Sequence, residues 1–68
     1  MKKLETKLNN LWNKIKTLGL SDGDISFANL QGFLYSCGRI NILQVVVSLS
    51  NIAIKYGMSE KEIKECLE

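Results

Sequence analysis

Residues 49–67 read LSNIAIKYGMSEKEIKECL, and the reading of this stretch decides the fold. Ala53 stands four residues before Gly57, and Met58 and Ser59 follow the glycine. A small residue lets two helices approach, a glycine takes the left-handed conformation at the end of the first, and a serine caps the second. Ser59 and Glu62 have the Ser-x-x-Glu spacing of a capping box. The stretch therefore predicts two helices crossing at a sharp angle, the second over 59–67 with Ile63 and Cys66 on its apolar side.

Upstream, Ile42, Val45, Val46, Leu49, Ile52, Ala53 and Tyr56 recur at helical spacing and define a helix over 41–56. Leu43, Val47 and Ile54 form a second apolar row, so this helix is apolar almost all round, as a central or partner-shared helix is. The β-branched run at 45–47 permits a strand, but the sustained helical spacing outweighs it. Ile25, Phe27, Leu30, Phe33, Leu34 and Cys37 predict a helix over 25–37, capped by Asp24 or Ser26 and ended by Gly38. Gly32 inside it costs about 1 kcal/mol relative to alanine, which points to close helix packing at that position. Leu4, Leu8, Leu11, Trp12, Ile15 and Leu18 predict a first helix over 2–18, anchored by Trp12 and ended by Gly19.

The turn at 20–24, LSDGD, invites comparison with half of a calcium-binding loop. With Gly23 at the loop glycine, however, Leu18, Leu20 and Asn29 fall where carboxylate ligands are required, so no oxygen cage forms. The expectation is an all-α chain, a compact four-helix domain over 1–68. Trp12, Leu30, Phe33, Leu34, Val46, Leu49, Ile52, Ala53 and Ile63 are expected to be buried.

Composition narrows the function. A chain of 68 residues is one domain, and at this size folding buries only roughly 60% of the unfolded surface, so a partner subunit is the expected remedy. Two cysteines make no disulfide framework, and the absence of histidine removes the commonest metal ligand and general base. No catalytic residues, metal or cofactor are expected, and the chain is not read as an enzyme. No stretch is long and apolar enough for a membrane span or a signal peptide, which predicts a cytoplasmic protein with no membrane partner.

Residues 49–67 resemble the helix-turn-helix unit of DNA-binding regulators. Ile52, Ala53, Tyr56, Gly57, Met58, Ile63 and Cys66 fill its core and turn positions with suitable residue types. The resemblance implies that Ser59, Lys61 and Lys64 face double-stranded DNA, with Lys2, Lys3, Lys7, Lys14 and Lys16 contacting phosphates. The charges are uneven: residues 1–20 carry five lysines and one glutamate, whereas 58–68 carry two lysines and four glutamates. Glu60 and Glu65 beside the lysines offset their attraction for phosphate. The alternative is a small helical inhibitor or adaptor that binds a larger protein. Either role suits a homodimer joined through Leu43, Val47 and Ile54, unless the first helix folds over that row.

Overall fold

Helix α3, Ile42–Lys55, is the element on which the others are arranged. The computed structural model describes residues 2–68, with side chains from Leu4 onward. It holds three further helices: α1 Lys2–Lys16, α2 Asp22–Ser36 and α4 Glu60–Leu67. Among the described residues there is no strand, in agreement with the all-α, four-helix expectation, and no helix is long and apolar enough to cross a membrane. Helices α1 and α4 pack on each other and on α3, while α2 lies along α3. The result is a slab with principal extents of 30 × 27 × 15 Å.

The core lies between α1, α3 and α4. Leu8, Leu11 and Ile15 of α1 meet Val45, Leu49, Ile52 and Ala53 of α3, closed by Met58 and by Ile63 of α4. Ala28 is the one buried residue that α2 supplies. The expected burial of Leu49, Ile52, Ala53 and Ile63 is therefore observed, whereas Trp12, Leu34 and Val46 are half-buried. Leu30 and Phe33 are corrections, being exposed because α2 turns its Ala28 side to α3 and its bulky apolar stripe away. The small alanine sits at the contact, where it lets the two helices lie close.

The ends of the helices follow from local chemistry. Gly57 (φ 96°) closes α3: its N–H donates to the Ile54 carbonyl, and the Met58 N–H donates to the Ala53 carbonyl. This is the Schellman pattern, with buried Met58 as its apolar follower. Asn41 caps α3 through the Gln44 N–H, and the capping box of Ser59 and Glu62 starts α4 as the spacing predicts. Helix α2 departs from expectation by beginning three residues early, at Asp22 rather than 25. Its cap is Ser21, whose hydroxyl accepts from the Asp24 N–H at 3.3 Å, and not Asp24 or Ser26. Helix α1 stops at Lys16, with Thr17 and Leu18 in a tight turn before Gly19.

Leu11 is fully buried, so Leu11→Ala should lower unfolding free energy by about 2–5 kcal/mol in urea denaturation. Leu30→Ala, at an exposed site, should cost far less in the monomer.

Candidate functional site

Large apolar side chains left in solvent mark the surface of interest. On α3, Leu43, Val47 and Ile54 are 63%, 58% and 51% exposed, so α1 does not fold over this row. Leu43 and Val47 line a groove with Gln31 of α2, and the Ser48 hydroxyl donates to Oε1 of Gln31 across it. Phe27 and Leu34 stand four residues before and three after Gln31, which places them on its stripe of α2. Leu30 neighbours both, and Phe33 lies a turn beyond it. The residues around the groove, Gln31, Asn41, Gln44 and Ser48, are polar but uncharged.

Five or six half-exposed side chains of this size present on the order of 500–600 Å² of apolar surface. That is at the upper end of the roughly 300–600 Å² found for the largest patch on ordinary monomers. It also approaches the ~800 Å² that each partner buries in a standard interface. The three residues Leu43, Val47 and Ile54 were legible in the sequence as a row without cover. Phe27 and Leu30 of α2 are exposed as well, whereas the sequence stripe points to a core role for Leu30.

The residues of the helix-turn-helix resemblance form a second surface. Ser59, Glu60, Lys61, Lys64 and Glu65 are all exposed on the turn and outer side of α4. Spacings of four along that helix set Glu60 beside Lys64, Lys61 beside Glu65, and Lys64 beside Glu68, so its outer face alternates in sign. The lysines of α1 do not share one face. Lys7 and Lys14 are seven residues apart and fall on one flank, while Lys16, two residues further, points some 200° away. Its ammonium lies 5.9 Å from the centre of the Trp12 ring. The side chains of Lys2 and Lys3 lie outside the described residues.

A polar cluster ties α2 to the end of α3. The Tyr56 hydroxyl donates to Oδ2 of Asp24 and accepts from the Ser21 N–H at 3.0 Å. Lys55 Nζ lies 3.1 Å from the same carboxylate oxygen. The Tyr56 hydroxyl above all, then the Lys55 ammonium, hold the Asp24 carboxyl below the usual range. At the other end of α2, the Tyr35 hydroxyl donates to Oε2 of Glu5 at 3.0 Å, which raises the tyrosine's pKa and keeps it protonated. These links were not legible from spacing because their partners are about thirty residues apart.

No protein-family model matches the chain, and no match to it was found among curated proteins or solved structures.

The lowered pKa of Asp24 has a signed consequence. A carboxyl whose folded-state pKa lies below its unfolded value stabilises above that unfolded value, about 3.9, and the contribution disappears as pH falls through the folded-state value. Thermal unfolding of wild type and Asp24→Asn should therefore differ at pH 6 and converge as pH falls below about 4.

Proposed function

We propose that this chain is a small helical protein-interaction module that pairs with a second copy of itself through the α2–α3 face. The observation that supports this reading is the exposure of Leu43, Val47 and Ile54 beside Phe27 and Leu30. An isologous contact sets each patch against its own copy, so any charge on it would meet a like charge near the twofold axis. The groove of this patch carries none. The charged residues at its Ile54 end, Lys55 and Asp24, neutralise each other within the chain. Setting α2 and α3 against their copies would create a bundle of four helices around a shared apolar centre.

Sedimentation equilibrium at tens of micromolar should give a dimer mass for wild type and a monomer mass for Val47→Glu. Val47 is exposed in the monomer, so the variant should keep its helicity in circular dichroism. The buried glutamate should weaken association by at least about 2 kcal/mol, some thirtyfold. A monomeric wild type would overturn self-association and leave the face to a larger protein partner.

A second reading, double-stranded DNA binding by a small regulator, is supported by the turn between α3 and α4. Its glycine closure, buried Met58 and capping box match the helix-turn-helix pattern, and Ser59, Lys61 and Lys64 are exposed there. Lys7 and Lys14 would hold phosphates from the neighbouring α1. In a fluorescence-anisotropy titration with duplex DNA, Lys61→Ala should weaken binding by about 1–3 kcal/mol for a base contact. For a phosphate contact it should reduce the salt slope by about one. Replacing Glu60 and Glu65 by glutamine should tighten non-specific binding. Absence of all three effects would exclude α4 as a DNA reader.

A further inference from the structure

On the opposite flank of the α2–α3 pair, α1 and α2 splay apart above α3 and leave a cleft of about 520 Å³. Leu8 of α1 and Val45 and Leu49 of α3 make it apolar, Trp12 and Tyr35 contribute aromatic rings, and Glu5 supplies a carboxylate. Its volume lies within the roughly 300–1,000 Å³ of small-ligand sites.

Gly32 also borders the cleft, and its position is unusual. It lies inside α2, where glycine weakens a helix relative to alanine. The expected reason, close helix packing, is absent: a Cβ built at Gly32 would meet nothing within 4 Å. Its φ is not in the left-handed region that favours glycine. What the missing side chain does is keep the α2 side of the cleft open.

The polar groups select the ligand. Tyr35 donates its proton to one oxygen of Glu5, so the hydroxyl supports a carboxylate rather than competing for a cation. Among the described residues, no lysine or arginine pairs with Glu5. The Trp12 ring already attracts an ammonium, that of Lys16, at 5.9 Å, as the negative face of an indole does. Lys16 itself is exposed and is not part of the cleft lining. Thr6 and Asn9 also line the cleft and are uncharged, so Glu5 is its one charged group; with the apolar base and two aromatic rings, it suits a ligand with an aliphatic body and a positive head.

We propose that this cleft binds an alkylammonium group, with the aliphatic part on Leu8, Val45 and Leu49, and the charged head between Glu5 and the Trp12 and Tyr35 rings. Neither self-association nor DNA binding uses these residues, so the proposal stands apart from both. Two sources share this chemistry: a free quaternary amine such as choline, and a lysine side chain presented by a peptide.

Trp12 is the only tryptophan in the chain, so its fluorescence reports on the cleft directly. Wild type should be titrated with choline chloride and, separately, with Nα-acetyl-lysine N-methylamide. The uncharged isostere 3,3-dimethylbutan-1-ol and sodium chloride at equal ionic strength serve as controls. A saturable change with either cation, at a Kd in the millimolar range, supports the proposal, and the cation that binds more tightly identifies the source. Glu5→Gln keeps an acceptor for Tyr35 at an exposed position and should weaken binding about tenfold, the size expected for loss of one charged partner. Gly32→Leu should block binding by filling the opening. Circular dichroism checks that each variant keeps the wild-type helicity. An equal response to the uncharged isostere would overturn the proposal. So would an undiminished affinity in Glu5→Gln, or no saturable change with either cation up to about 100 mM, far above a millimolar Kd.

Discussion

A helix that is apolar on nearly every side cannot be covered completely inside a slab 15 Å thick, and the rest of the molecule follows from that constraint. With its side chains an α-helix is about 10–12 Å across, so the thin dimension has no room for cover both above and below α3. Helices α1 and α4 take one side and make the core there. Helix α2 lies alongside and leaves Leu43, Val47 and Ile54 open. Among the described residues, none of the four helices lies over that row. Two features of the surface have this single origin: the open apolar face, and the cleft on the other flank where α1 and α2 fail to meet.

The two halves of the chain differed in how much they disclosed as sequence. Helices α3 and α4 were legible because their signals are local: Asn41 and Ser59 as caps, Gly57 as a stop, and Glu62 at the spacing that completes the box. The start of helix α2 is less legible, although Ser21 and Asp24 have the same three-residue spacing as Ser59 and Glu62. Asp24 is itself a capping residue type, whereas in the fold it serves the Ser21 cap and the Tyr56 link together.

The apolar stripe of α2 shows why periodicity alone could not place the core. Phe27, Leu30 and Phe33 mark a side of a helix that loses free energy in water, but spacing does not say which surface will cover it. The contact went instead to Ala28, which lets α2 approach α3 closely and turns the large residues outward. Charge was legible in amount and not in arrangement. The lysines of α1 are many, yet Lys14 and Lys16 leave the helix in nearly opposite directions. The cleft was hidden for a different reason, since Glu5 and Tyr35 become neighbours only after three helices have packed.

The attachments of α2 have a consequence for motion. Apart from Ala28, its named links to the body are polar: Asp24 to Tyr56 and Lys55 at one end, Gln31 to Ser48 in the middle, and Tyr35 to Glu5 near the other. Polar links that are exposed or only part-buried hold less free energy than buried apolar area, and Gly32 loosens the helix between them. With one buried residue in the core, helix α2 is therefore the segment expected to open first, while α1, α3 and α4 stay joined through their core. Its amide protons should therefore exchange with solvent through this partial opening, and those of α3 near Leu49 only when the whole domain unfolds.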